Sequence, residues 1–416
     1  DDCLAPKRGF PLPDLPHAGG GALRHMTRRL DEIADARLAE LAQQGRLRQL
    51  RPYRREGVEV VRADGARLVD FSGNDYLGLS RHPQLIARAQ EWTQRYGAGA
   101  SASRLVTGTL DAYVAVEQKL AVFKGTQAAL VLNAGFQANA TVLPALVELL
   151  GETLVYADRL NHASLHHGIA AAGLRQQRFR HNDLDHLRSM LVRDQGKPGR
   201  RLIVTESVFS MDGDRAPLDG LIALAEEFGA HLHVDEAHAT GVLGPQGRGL
   251  TATHPGRIDV VMGTVGKALG GFGAYVAGSR VLIDFLINRC AGFIYSTALP
   301  PSVFGALDAA LDLVPAMDAE RARVHAHAAR FREAAKRRHL STGASDTQIV
   351  PLLIGGNAAT LAAQARLEQQ GLLGIAIRPP TVPEGEARLR LSFSAAHRDE
   401  DVARLCGALA DLEPSR

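Results

Sequence analysis

From Thr27 to about Leu50 the apolar positions Leu30, Ile33, Leu38 and Leu41 recur near helical spacing, with Thr27 as a capping hydroxyl. That pattern predicts an amphipathic helix. Next, Val58-Glu59-Val60-Val61 and Arg67-Leu68-Val69-Asp70-Phe71 flank Asp64-Gly65, which predicts a hairpin. The texture then changes. Short continuous apolar runs alternate with helical stretches: 128–132, 153–156, 201–205, 231–234 and 258–262. Each is too short for a helix and too continuous for a half-exposed strand, so each reads as a buried strand of a mostly parallel sheet. Segments such as 215–229 supply the crossover helices, giving an α/β fold with helices on both faces of the sheet. From about residue 309 the chain turns to Ala- and Arg-rich helices, then to strands near 348–354 and 387–393, which predicts a smaller α+β C-terminal domain. The expected division is a leader of unknown role over 1–25, an N-terminal helix and hairpin over 26–72, a large domain over 73–308 and the small domain over 309–416.

Composition narrows the class. In 416 residues, 45% are hydrophobic and 22% charged, ordinary values for a soluble globular protein with a normal core. The formal net charge of +3 argues against a dedicated nucleic-acid binder. The cluster Arg46, Arg48, Arg51, Arg54 and Arg55 reads as a solvated edge or as small-anion contacts. Cys3, Cys290 and Cys406 stand far apart without paired-ligand spacing, so neither a disulfide framework nor a metal site is expected. No apolar run is long enough to span a bilayer. The first 25 residues lack an apolar targeting core, and Met26 offers a natural start. A cytoplasmic place fits these features.

The candidate chemistry falls just after the predicted strands, where open α/β sheets bind ligands. Val234-Asp235-Glu236-Ala237-His238 follows one strand directly. Asp235 there either pairs with a buried cationic ring nitrogen, with His238 reaching another polar atom of the same ligand, or caps the next helix. The following strand ends in Gly263-Thr264-Val265-Gly266-Lys267, followed by a glycine-rich stretch. Lysine is scarce in this chain, at six residues, and Lys267 lies among small ones. Burial lowers a lysine pKa and frees the amine for a Schiff base, and glycines let a bulky cofactor approach the backbone. A flexible loop lysine is the alternative, whereas the spacing of a nucleotide phosphate loop is absent. Upstream, Asn133-Ala134-Gly135-Phe136-Gln137-Ala138-Asn139 joins a strand to a helix whose first amides favour phosphate. His162, in Ala157-Asp158-Arg159-Leu160-Asn161-His162-Ala163-Ser164, either stacks on a flat ring or serves structure. A phosphate cradle, a stacking histidine, a carboxylate for a ring nitrogen and a Schiff-base lysine are together the parts that pyridoxal 5′-phosphate needs.

Several blocks strengthen this reading: Phe71-Ser72-Gly73-Asn74-Asp75-Tyr76-Leu77-Gly78-Leu79, Val208-Phe209-Ser210-Met211-Asp212-Gly213-Asp214, and Ile377-Arg378-Pro379-Pro380-Thr381-Val382-Pro383 with Ala387-Arg388-Leu389-Arg390. With the His162 block they make essentially the whole chain after Met26 resemble the α-oxoamine synthases. These are fold type I pyridoxal-phosphate enzymes that join an amino acid to an acyl thioester with loss of carbon dioxide. The resemblance implies roles for matched positions. Lys267 would carry the cofactor, Asp235 would pair with its ring nitrogen, His238 and Ser210 would bond its ring hydroxyl, and His162 would stack on it. Gly135, Phe136 and Thr264 would hold its phosphate, and Ser296 and Thr297 would reach a phosphate across a homodimer interface. Arg390 and Asn74 would bind the amino-acid carboxylate, and Thr381 with Arg48, or with Arg51 in its place, would line the acyl entry. The implied substrates are L-alanine and a pimeloyl thioester, on coenzyme A or acyl-carrier protein. The rivals are a glycine- and acetyl-CoA-using member of the family, an aminotransferase, and a non-catalytic partner subunit.

Overall fold

The computed structural model describes residues 28–412 and divides into two units, one ending at Leu50 and one beginning at Arg51. The expected leader over 1–25 and the Thr27 cap lie outside the described residues. In the first unit the predicted helix runs Arg28–Gln43 and leaves Leu30, Ile33 and Leu38 exposed. It stops well short of Leu50, at a turn where Gly45 adopts φ +63°.

The second unit contains fourteen described strands: β1 Tyr53–Glu56, β2 Glu59–Arg62, β3 Arg67–Asp70, β4 Ala128–Leu132, β5 Thr153–Asp158, β6 Gln177–Phe179, β7 Arg200–Glu206, β8 Ala230–Asp235, β9 Val260–Thr264, β10 Ala274–Gly278, β11 Ile349–Gly355, β12 Leu372–Leu373, β13 Ile375–Ile377 and β14 Ala387–Ser392. The five predicted core strands are β4, β5, β7, β8 and β9. They stand in a seven-stranded sheet of order β4-β10-β9-β8-β7-β5-β6. All its strands run the same way except β10, which pairs antiparallel with both β4 and β9. The sheet is therefore mostly parallel, as the apolar runs predict. β10 escapes the sequence pattern because Ala274-Tyr275-Val276-Ala277-Gly278 is mostly small residues behind a glycine-rich loop, and β6 is a three-residue edge strand.

Both sheet faces are covered, which is what makes these strands apolar throughout. Tyr113, Val116 and Leu120 of the helix Asp111–Lys124 pack on one face with Val131, Tyr275 and Phe304. Val142, Leu143 and Leu146 of the helix Gly135–Leu150 pack on the other with Leu130, Val155 and Val276. A third cluster, around Phe71, Phe331, Leu389 and Phe393, belongs to the C-terminal part.

The predicted hairpin is β2 with β3, and a preceding charged strand, β1, pairs antiparallel with β2. The outer partner of β3 is β12, parallel and about 300 residues later. β11, β14 and β13 form a separate antiparallel sheet. The Ser392 amide donates to the Phe71 carbonyl, 2.8 Å, which links the two small sheets. No helix among the described residues is long and apolar enough to cross a membrane.

Candidate active site

Because β4, β5, β7, β8 and β9 point the same way, their carboxyl ends share one edge of the sheet. The loops leaving that edge carry Gly135, His162, Ser210, His238 and Lys267. Together with Met211 beside Ser210, and with Asn74, Ile375, Ile377 and Arg390 from the small sheets and the loop after β3, four of these line a cavity of about 280 Å³; Gly135 is not part of its wall.

The lysine projects from the loop between β9 and β10. Gly270 in that loop has φ +67°, and a Cβ there would meet the Leu79 backbone at 2.5 Å, so only glycine lets the loop close down. The Lys267 Nζ lies 2.8 Å from His238 Nε2. Burial drives the Lys267 pKa down to about 8 against the pull of Asp235. His238 is buried as well. Burial, then the nearby charges of Lys267 and Arg390, hold it well below the ordinary histidine value.

A neutral His238 has one ring N–H, and its partners decide where that proton sits. Nδ1 lies 2.7 Å from Tyr76 Oη. Tyr76 donates to Asn74 Oδ1, 3.0 Å, and Arg390 donates to the same oxygen, 3.1 Å. Nδ1–H thus donates to Tyr76, and Nε2 accepts from the lysine. The result is an unbroken line of hydrogen bonds from the lysine amine to the arginine. Arg390 is itself fixed by donating from Nε to the Ser210 carbonyl, 2.6 Å.

Asp235, at the end of β8, accepts from Asn139 Nδ2 at 2.7 Å on one oxygen and from the Ala237 amide at 2.8 Å on the other. Its neighbour in register on β7 is Glu206, also buried. Burial, with Asp235 alongside, raises the Glu206 carboxyl well above its usual range. It accepts the backbone N–H of His162. His162 also caps the helix Ala163–Ala171, with Nδ1 2.7 Å from Ser164 Oγ.

At the head of the helix Gly135–Leu150, Ala134 provides no capping side chain, so the amides of Gly135 and Phe136 have no side-chain acceptor. Ser296 Oγ accepts from Gln137 Nε2, 2.6 Å, and the Thr297 carbonyl accepts from Asn133 Nδ2, 2.9 Å. Both residues thus sit beside the same helix start within one chain. The Thr264 hydroxyl donates to the Gly273 carbonyl, 2.9 Å, and accepts from Gly266 N, 3.2 Å. Its proton is used within its own loop. Thr381 is exposed, after the cis Pro379-Pro380 bond, and does not line the cavity. Arg48 lies in the first unit.

Sequence reasoning did not single out Tyr76, Asn139, Glu206, Ser164 or Gln348, whose Nε2 donates to the His238 carbonyl at 2.7 Å. For Tyr76, Asn139, Ser164 and Glu206 a signal existed, since all four stand within or beside blocks already noted. For Gln348 there was none.

The family "Aminotransferase class I and II" matches residues 66–409. An 8-amino-7-oxononanoate synthase of Gluconacetobacter diazotrophicus is 58% identical over 388 residues, covering 92% of this chain and 97% of that protein. One of Geobacter sulfurreducens is 48% identical over 379 residues, covering 90% and 96%. Among solved structures, a serine palmitoyltransferase of S. paucimobilis with a bound PLP–myriocin aldimine superimposes with a TM-score of 0.85 at 29% identity, covering 94% and 98%. An 8-amino-7-oxononanoate synthase of Francisella tularensis superimposes with a TM-score of 0.71 at 26% identity, covering 83% and 97%. The chain therefore belongs to the class I and II aminotransferase family and, within it, groups with the 8-amino-7-oxononanoate synthases.

Proposed function

We propose that this chain is a pyridoxal-phosphate-dependent acyltransferase of biotin biosynthesis. It would condense L-alanine with a pimeloyl thioester, on coenzyme A or acyl-carrier protein, to give 8-amino-7-oxononanoate and carbon dioxide. The observation that carries the reading is a lysine amine of lowered pKa on the wall of a cavity that also presents His162, His238 and Arg390. The residues fit the cofactor. A buried carboxylate with both oxygens already oriented suits a ring nitrogen, and an uncapped helix start suits a phosphate.

Bound there, pyridoxal phosphate supplies a sink for the electron pair left when a bond at the amino acid's Cα is broken. Lys267 would hold it through the amine, and the same amine stands ready to take the Cα proton. A pKa of about 8 leaves a useful fraction of neutral amine near neutral pH. Asp235 keeps a proton on the ring nitrogen, His162 covers a ring face, and His238 with Ser210 bonds the ring hydroxyl. The Gly135 and Phe136 amides would hold the phosphate, and Thr264 would join them only by turning its hydroxyl proton away from the Gly273 carbonyl. Arg390 and Asn74 grip the alanine carboxylate and so fix which Cα bond stands across the ring. Met211, Ile375 and Ile377 give the cavity an apolar side for the methylene chain of the acyl group.

A homodimer is part of the proposal, with Ser296 and Thr297 serving the second copy's phosphate. Leu105, Val106 and Tyr295 are 52%, 74% and 84% exposed on segments joined by the Ser103–Thr297 bridge, a surface that suits a like partner. Free Cys290 and Cys406 accord with a reducing cytoplasm.

The test is purified chain, pyridoxal phosphate, and then L-alanine or glycine with pimeloyl or acetyl thioester, followed by visible absorbance and product mass. The expected result is 8-amino-7-oxononanoate from alanine and the pimeloyl thioester only. Lys267→Ala should remove both the visible band and turnover. Normal turnover in that variant would sink the assignment, and a product from glycine alone would change the substrate.

A further inference from the structure

Behind the cavity, the loop from β6 to the helix Leu184–Arg193 places His181 between two carboxylates. Nδ1 lies 3.0 Å from Asp158 Oδ1 and Nε2 lies 2.8 Å from Asp214 Oδ2. A neutral imidazole has a single N–H and could satisfy only one of these acceptors, so the geometry calls for an imidazolium. Asn182 repeats the bridge: its amide donates to Asp158 Oδ2 at 2.8 Å and its Nδ2 to Asp214 Oδ2 at 2.9 Å. Asn182 takes φ +53° to reach both, a backbone state that asparagine tolerates better than most residues. Asp158 is fully buried and Asp214 nearly so, and Asp214 Oδ1 has no partner among the described residues. The ring edge of His181 meets Phe209 at 90°, 4.4 Å between centroids.

Each carboxylate belongs to a loop that enters the cavity. Asp158 ends β5, takes the Leu160 amide at 2.8 Å and starts the turn that delivers His162. Asp214 closes the turn that delivers Ser210, its carbonyl accepting the Phe209 amide at 3.0 Å. We propose that His181 is a positioning residue, a cationic bridge between Asp158 and Asp214 that fixes the His162 loop and the Ser210 loop to one another. The inference rests on the reading that His162 and Ser210 face pyridoxal phosphate, not on the identity of the acyl substrate.

Burial opposes the charge on His181, yet the hydrogen bonds it donates to Asp158 and Asp214 push its pKa up to about 10. Other charged or titratable groups around the bridge are His166 and Glu206, which feel or are felt by Asp158, and Arg215, whose carbonyl takes Asn182 and whose guanidinium is paired with Asp346. With the folded pKa above the unfolded one, the bridge contributes fully below about pH 6.5 and is lost as pH rises through about 10.

The experiment has two arms. Carbon-13 NMR of labelled histidine follows the ring charge, and titration with pyridoxal phosphate measures cofactor affinity. An imidazolium signal should persist at about pH 8.5, disappear in His181→Asn, and titrate more than about one pH unit lower in Asp214→Asn. Both variants should weaken cofactor binding about ten-fold or more, and the double variant hardly further, since one bridge is broken in each. A neutral His181 at that pH, a midpoint unmoved in Asp214→Asn, or cofactor affinity within two-fold of the parent would overturn the proposal. Should His181→Asn fail to fold, the parent titration and Asp214→Asn decide the matter alone. A parent chain that binds no pyridoxal phosphate sinks the cofactor reading instead, and the NMR arm still decides the bridge.

Discussion

Asn139 donates its Nδ2 proton to Oδ2 of Asp235 across 2.7 Å, tying the helix that begins at Gly135 to the end of a strand 96 residues later. His233 stands behind it, Nε2 3.4 Å from Asn139 Oδ1, and burial drives that ring down to about pH 4, so it is neutral under all working conditions. The carboxylate we propose for a ring nitrogen is thus aimed by an amide that has no charge to compete with it. Asn139→Leu leaves a buried charge short of one donor, a loss of about 1.5–3 kcal/mol. The expected outcome is a rise in the cofactor dissociation constant of about 10- to 100-fold, read from the visible band.

The amine of Lys267 titrates near 8 rather than in the ordinary lysine range because it is buried. Capture of pyridoxal phosphate needs the neutral amine, whose fraction grows as pH rises through that value. The rate at which chain stripped of cofactor regains its visible band should climb about ten-fold per pH unit below about 8 and level off above it. A rate that keeps climbing to the ordinary lysine value would contradict the burial of this amine.

Next to Asp235, Glu236 accepts from Lys124 Nζ at 2.6 Å, from Thr251 Oγ1 at 2.6 Å and from the Thr251 amide at 2.8 Å, with both charged side chains wholly buried. Lys124→Met strands the carboxylate and should cost about 3–5 kcal/mol. The pair Lys124→Met with Glu236→Gln should recover part of it. Urea midpoints at constant slope measure all three variants, and a double-variant loss equal to the sum of the Lys124→Met and Glu236→Gln losses would deny the coupling.

Gly213 and Gly229 both have positive φ, +69° and +60°, but a Cβ on Gly213 would lie 1.9 Å from the Ile349 carbonyl oxygen, whereas Gly229 has nothing within 4 Å. Gly229→Ala should therefore cost only the left-handed strain of about 1–2 kcal/mol. Gly213→Ala must also push the Ser210 turn away from β11, and should cost clearly more while loosening cofactor binding. Thermal melts of the two variants side by side provide the comparison.

Much of this was legible in the residues. The apolar runs 128–132, 153–156, 201–205, 231–234 and 258–262 became core strands because each is covered on both faces. Lys267, Asp235, His238 and His162 could be picked out because parallel strands bring successive loops to one edge, so order along the chain becomes proximity in space. What stayed hidden depends on contacts with no local signature. Tyr76 reaches His238 across 162 residues, and Asn139 reaches Asp235 across 96. The reversed strand β10 carries too few branched residues to declare itself. The phosphate role inferred for Thr264 meets a hydroxyl whose proton already serves Gly273, a loop detail that no spacing encodes.

The pairing of β3 with β12, and the bond from Arg390 to Asn74 over 316 residues, bear on how the chain is made. Every strand of the seven-stranded sheet has emerged from the ribosome once Gly278 is out. Asn74, made long before, has no arginine to meet until Arg390 follows. Synthesis therefore completes the sheet edge proposed to take the cofactor before it supplies Arg390, the residue proposed to grip the amino acid. A chain cut short after the large sheet keeps Lys267 and Asp235 but lacks Arg390, so a truncated product can hold the reactive group without the means to direct it.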